Sequence, residues 1–372
     1  MDGIGIRRGD KKSRCRVIPI RCAMRLSRVE ESAWVRAQAA GVQSLYQRQL
    51  VRGKVYAVDG SGLGDDFRVV ALVCVSAIRP IIVAWRLLRG PSSEKGKEAA
   101  VTRSLIEQVL QVAGPKAINL LLADALYADG PLLAWLKYGQ GIDALVSLPE
   151  DRLLYQDLKG LADGRLLDWT HHRYVRTIQG HKQVREVEVT AAGALTSWEG
   201  FTEAAARYGR ADASLWACLI HDVTTAELAA EAPRALVSTR SFADGFAALQ
   251  AYRPRWHIED DTYRELKEGW GLEQQRWGRD FAAALGRTTL TCLAFNTAQV
   301  YRLQAGERLA GMAIRRLRRQ RQRELGSAPA VLYVAGCYGV FSLEEVLNVL
   351  GAAPRESLLP TLAKPSAPDS PT

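Results

Sequence analysis

The sequence predicts an α/β fold: a mixed sheet laid down in the order β-β-β-α-β-α-β and then a helix, with a β-rich insertion between Asp124 and Glu259. Three observations carry this reading. Strand-like runs at residues 55–58, 67–78 and 81–88 are separated only by the turn-forming stretches GSGLGDD and RP, which makes an antiparallel meander. From residue 94 to 148 helical and short apolar segments alternate. From 151 to 240 strand-like segments return, before the helical pattern resumes around Glu259.

Residues 1–28 are rich in Arg and Lys, show no period and are expected to be disordered. Over residues 30–50, Trp34, Ala37, Val42 and Leu45 share one side of a helical wheel, with Gly41 the weak point of an amphipathic helix. After the meander, residues 94–112 read as a helix buried through Val101, Leu105, Val109 and Val112, and residues 118–123, apolar except for Asn119, as a central strand. A helix at 131–138 and a strand at 142–148 complete the order. In the insertion, 167–178 and 183–190 form a hairpin around Gln179-Gly180-His181, followed by strands at 215–223 and 234–239. Residues 251–277 read as one helix, and the mostly apolar 281–303 as a helix packed on the sheet. Arg315, Arg316, Arg318, Arg319, Arg321 and Arg323 then crowd residues 313–325, which either solvates a helix or tracks a phosphate backbone. Ser342 and Glu345 have capping-box spacing for a last short helix, and the chain from Pro360 is expected to be loose. The resulting segments are 1–53, a basic arm and helix; 54–150 and 241–310, two parts of one domain; 151–240, the insertion; and 311–372, a basic helix and C-terminal region.

Composition bounds what this fold does. With 372 residues, 48% of them hydrophobic, the chain can build a sizeable core. The net charge of +10 suits a polyanionic partner. No apolar run approaches the ~20 residues of a membrane span, and no secretory signal is read, so no membrane is involved and a cytoplasmic location is expected. The six cysteines form no C-x-x-C pair and His171, His172, His181 and His221 lack ligand spacing, which argues against a zinc site or a disulfide framework.

Three acidic residues carry the chemistry. Asp59 and Asp124 each follow the end of a strand, the first and the fourth; if those strands are parallel neighbours, both carboxylates meet at one sheet edge. Each also has an ordinary use, Asp59 in an Asp-Gly-Ser turn and Asp124 as a helix cap. On a wheel, Arg255, Glu259, Tyr263, Leu266 and Trp270 fall within an arc of about 80°, so Glu259 faces inward and needs a counter-charge. An ion pair with Arg255 would serve; so would a metal. Three converging carboxylates repel unless cations neutralise them, and two Mg²⁺ ions, with Mn²⁺ able to substitute, suit an all-oxygen site that acts on phosphate.

The segments VYAVDGSGL, LLADALYADG and YRPRWHIEDDTYRELK together resemble the DDE transposases of bacterial insertion sequences, in the insertion-sequence-four branch with a ribonuclease H-like catalytic domain. The resemblance spans roughly residues 54–304 and includes the β-rich insertion. It implies that Asp59, Asp124 and Glu259 are catalytic metal ligands for cleavage at transposon ends and strand transfer to target DNA. It further implies double-stranded DNA as partner, a homodimer on that DNA, and a DNA-binding region ahead of the catalytic domain, here shortened to residues 1–53. In the family's third motif, Tyr252 and Arg255 match the residues that hold end DNA, with Arg255 expected on phosphate; Lys267 comes one residue late. The alternatives are a ribonuclease H-like nuclease without strand transfer and an inactive remnant that only binds DNA.

Overall fold

The computed structural model describes residues 28–77, 79–90, 97–178, 181–273, 280–304, 329–334 and 337–342, together with Leu26, Met312 and Arg316. Expectations for residues 1–25, for the basic run except Arg316, for the helix after Ser342 and for the tail fall outside them. Two compact units are present, Met1–Leu303 and Gln304–Thr372. In the second, Pro329–Val334 and Cys337–Ser342 pair as an antiparallel hairpin, so Ser342 ends a strand.

The first unit is organised by one nine-stranded sheet. Helix α1 (Glu31–Gln47) precedes β1 (Val55–Leu63), β2 (Phe67–Cys74) and β3 (Ile81–Arg89), the expected meander. Helix α2 (Lys97–Ala113) packs on β2 and β3 and leads to β4 (Leu120–Ala123). Helix α3 (Gly130–Ala134), continued by a π-helical turn to Gln140, leads to β5 (Asp143–Leu148). The strand order is β3-β2-β1-β4-β5-β9-β8-β7-β6, with β1, β4 and β5 mutually parallel. β4 is buried at all four positions, as its apolar sequence demands.

The insertion is not a separate layer. Its hairpin β6 (Thr170–Ile178) and β7 (His181–Leu195), then β8 (Leu215–Asp222) and β9 (Arg234–Ser238), extend the same sheet, because β9 pairs antiparallel with β5 from Leu145↔Ser238 to Leu148↔Ala235. The insertion also holds three helices that the sequence patterns did not predict: α4 (Leu153–Asp163), α5 (Glu199–Ala206) and α6 (Ala226–Ala229). Helix α7 (Gly245–Tyr252) follows β9.

Helix α8 (Phe281–Gln304) closes the unit. Its buried Asn296 accepts from the Ile82 amide (3.0 Å) and donates to the Ile82 carbonyl (2.7 Å), so the side chain satisfies the open edge of β3. Gly41 of α1, the weak point of its amphipathic pattern, faces Leu293 of α8: a Cβ there would lie 2.5 Å from the leucine side chain. Cys74, Cys218 and Cys292 are free and buried. No helix of the described residues is long and apolar enough to cross a membrane.

Candidate active site

The register between β1 and β4 positions the first two acids. Ala57 pairs with Leu122 at the end of the parallel ladder, and Asp59 and Asp124 each lie two residues beyond, Asp59 within β1 and Asp124 just past the end of β4. Asp59 does not follow the strand in a turn, as expected; β1 continues to Leu63, and Asp59 pairs with Ala71 of β2. The meander keeps hydrogen-bonding on its outer side after the parallel partner has ended, which leaves the β4 side of Asp59 open. Asp124 does cap the next turn, accepting from the Leu126 amide at 2.9 Å through one carboxylate oxygen. The cap engages that one oxygen, Oδ1.

Two tyrosines hold the backbone at these acids. Tyr263, 4% exposed, donates to the carbonyl of Asp59 (2.7 Å) and is within 3.2 Å of the Val69 carbonyl. Tyr252, expected at DNA, is buried instead and donates to the carbonyl of Ala123 (2.8 Å), next to Asp124. Burial pushes the Tyr252 hydroxyl up to about 12, so it remains a donor.

Asp59 carries the electrostatic signature of the site. It is 8% exposed, and its pKa is raised from the usual 3.8 to about 7. Desolvation is the main cause and the charge of Asp124 the next; the Gly60 amide, donating at 2.7 Å, and Arg255 only partly offset them. The pocket holds more negative charge than its own cation neutralises.

The segment bearing Glu259 is not the regular helix the wheel assumed. A 3₁₀ turn at Arg253–Arg255 is followed by π-helical turns at Ile258–Tyr263 and Glu265–Gly269. The buried side is formed by Ile258, Thr262, Tyr263 and Leu266, while the Glu259 side chain is 38% exposed. Glu259 is thus off the apolar stripe, and its Oε1 lies 2.7 Å from Nη2 of Arg255. Arg255, expected on phosphate, has a side chain only 6% exposed, with Nη1 3.9 Å from Asp59 and the guanidinium 4.9 Å from the Trp256 ring centroid. It is the internal counter-ion of the site. Among the described residues no group of three or more His, Cys, Asp or Glu side chains is gathered closely enough to hold a metal ion. Asp59 and Asp124 are neighbours, but Glu259 is turned to Arg255 and does not complete the expected set of three.

The π-helical turns account for Lys267. In each, bonding skips one residue more than in an α-helix: the Arg264 amide donates to Glu259 and the Trp270 amide to Glu265. The wider turns absorb the extra residue before Lys267, which lines one open cavity of about 380 Å³ with Asp59, Gly60, Ser61, Glu259 and Tyr263. Its amine pairs with Glu273. Arg316 is exposed, while Arg315, Arg318 and Arg319 lie outside the described residues.

A second cavity, about 670 Å³, opens between the insertion and the Glu259 segment. Arg176, Arg234, Arg253 and Arg264 line it with Tyr174 and Trp256. Arg176 stacks over Trp256 at 5.0 Å and Arg253 over Tyr174 at 5.1 Å, which keeps both guanidiniums presented. Arg253, Trp256 and Arg264 lie in the segment YRPRWHIEDDTYRELK, but nothing in the sequence flagged Tyr174, Arg176 or Arg234, which the insertion's strands bring to it.

A family model described as "Transposase DDE domain" matches residues 88–297, a span that includes Asp124 and Glu259 and begins after Asp59. A search of curated proteins gave no match.

Proposed function

The chain belongs to the transposase DDE-domain family, and on that premise we propose that it is a transposase of the insertion-sequence-four branch, cutting DNA at transposon ends and joining them to target DNA with divalent metal. The observation that carries this is the β1–β4 register, which sets Asp59 and Asp124 each two residues past the end of a parallel ladder. The donor chemistry suits the metal: carboxylate oxygens favour Mg²⁺ or Mn²⁺, and Asp59, whose pKa is raised first by burial and then by the charge of Asp124, has a second acid beside it to share a cation with. Asp59 and Asp124 would hold the metal, and Glu259 would join them only by giving up its pair with Arg255. Bound there, divalent ions supply activation of the attacking hydroxyl and stabilisation of the leaving oxygen.

The chain's own residues do the rest. Tyr263 and Tyr252 fix the backbone at Asp59 and beside Asp124, so the two carboxylates start from held positions. Lys267 lines the same cavity as Asp59 and Glu259 and would meet a DNA phosphate by exchanging its partner Glu273, which lines that cavity too. The arginine-lined cavity beside the insertion supports double-stranded DNA as the partner; a homodimer on that DNA and a cytoplasmic location rest on the family resemblance alone. The test is a gel assay on labelled duplex carrying the flanking inverted repeats, with Mg²⁺ or EDTA. Metal-dependent nicking followed by joining to a second duplex is expected. Nicking without joining would reduce the activity to a nuclease, and binding without nicking would refute the enzyme.

A further inference from the structure

A second buried charge cluster lies behind Asp59 and has no part in the chemistry described so far. Glu98, in the first turn of α2, is 2% exposed, and its Oε1 is 2.7 Å from Nε of Arg68 on β2. Arg68 in turn donates through Nη2 to the carbonyl of Gly60, the residue after Asp59, at 3.2 Å. The fit is close. A Cβ at position 60 would lie 2.7 Å from Arg68 Nε and 3.1 Å from Glu98 Oε2, so only glycine lets the pair lie against β1.

The other end of the cluster reaches the second acid. Glu98 Oε2 and the Tyr127 hydroxyl are both buried and make no well-aligned hydrogen bond to any other group among the described residues, which leaves them to each other. Burial, and after it the charge of Glu98, pushes the Tyr127 hydroxyl well above its ordinary value, so the two groups lie within electrostatic reach. Tyr127 belongs to the turn Ala125–Tyr127 that Asp124 caps. Stability alone does not account for such a cluster, because a buried ion pair is commonly no better than well-packed apolar residues of the same volume.

We propose that Arg68 and Glu98 are positioning residues for the catalytic pair: Arg68 fixes the Gly60 carbonyl and with it Asp59, while Glu98 anchors Arg68 and, beside Tyr127, the turn that carries Asp124. This rests on reading Asp59 and Asp124 as the metal-holding acids. Residues that orient ligands without touching the ion ordinarily change metal affinity by 10- to 100-fold when replaced.

The test follows thermal melting of the full chain against Mg²⁺ concentration, beside the nicking assay. Glu98→Gln keeps the volume and removes the charge; it leaves the Arg68 guanidinium without its carboxylate and should melt several degrees below the parent in EDTA, and the folded protein should need about tenfold more Mg²⁺ for half-maximal stabilisation and for nicking. The double variant Arg68→Met, Glu98→Leu guards against misfolding. It should melt at or above the parent temperature in EDTA and show the same rise in Mg²⁺ requirement. A folded variant with the parent's Mg²⁺ midpoint overturns the proposal. A parent protein that responds to Mg²⁺ in neither assay overturns the metal-site reading beneath it.

Discussion

At Asp59 the pKa sets a pH dependence whose sign is the reverse of ordinary acid denaturation. The folded protein retains a proton on Asp59 up to about pH 7, whereas the unfolded chain releases it near 3.8. Between those values the unfolded state binds fewer protons, so the Asp59 contribution to metal-free stability falls as pH rises from about 4 to 7 and is flat beyond. Asp59→Asn removes this loss. In EDTA at pH 8 the variant should melt about 5 °C above the parent, with the gap closing by pH 4, and excess Mg²⁺ should stabilise the parent alone. A gap independent of pH would refute the assignment. Glu259 behaves differently because it is already paired. Glu259→Gln leaves Arg255 with Asp59 at 3.9 Å and an amide oxygen in place of the carboxylate, so it should cost about 1 to 3 kcal/mol in EDTA while abolishing nicking. Melting unchanged or raised would show that the 2.7 Å pair contributes nothing. Both readings of Glu259, ion pair and metal ligand, were open in the sequence; which one the metal-free protein adopts depends on how far the guanidinium of Arg255 reaches, and spacing alone does not say.

The π-helical turns at Ile258–Tyr263 and Glu265–Gly269 are the element where sequence reasoning failed and the failure is informative. A 100° wheel put Arg255, Glu259, Tyr263, Leu266 and Trp270 on one inward stripe; Arg255, Tyr263 and Leu266 are buried as expected, but the Glu259 side chain is 38% exposed, and Lys267, one residue late for the family motif, shares its cavity. Bonding from residue i to i+5 leaves no trace in hydrophobic periodicity, so the displaced lysine was the only signal of it. A paired substitution tests the register. Leu266→Ala should destabilise by roughly 2 to 5 kcal/mol, as for any leucine removed from a packed core, whereas Lys267→Ala should leave the melt within about 1 °C and weaken DNA cleavage at least tenfold. Leu266→Ala is the control, since the regular wheel also buries position 266; cleavage unchanged in Lys267→Ala would show that the wider turns do not bring position 267 to the cleft. Elsewhere the elements were legible because their periods are strong: β1 to β5 and α8 appear within a few residues of expectation. Helix α4 was legible too and went unread, since Leu154, Tyr155, Leu158 and Ala162 repeat at helical spacing.

Across the first unit, the decisive long-range fact was foreseeable and a second one was not. The adjacency of β1 and β4 follows from a meander, a crossover helix and an apolar strand, a sequence of elements with few topological solutions. That β9 would pair with β5 and carry the insertion into the same sheet depends on edge pairing between segments over 80 residues apart, and no local pattern encodes it. This pairing has a consequence for charge. The sequence pointed to the arginines at 315–323 as the phosphate-binding face; the fold gathers a separate set, Arg176 from β6, Arg234 from β9, and Arg253 and Arg264 from the Glu259 segment, around one cavity of about 670 Å³. Asp260 and Asp261 also line it, but Asp260 is 3.5 Å from Arg264 and Asp261 pairs with His257, so their charges are in part already met. Arg176 and Arg234 have no ion pair among the described residues and are the natural partners for phosphate. Replacing both with glutamine should leave the melt unchanged and lower the magnitude of the slope of log K against log salt by about 0.9 for each phosphate no longer neutralised, measured on duplex DNA with the parent alongside. If the slope holds and nicking persists, the cavity does not track DNA and the net charge of +10 acts through other surfaces. If the slope falls by nearly 2 while cleavage at saturating DNA is preserved, about two phosphates are held there, and the insertion is a DNA-holding wall of the active site, joined to it by the β5–β9 pairing.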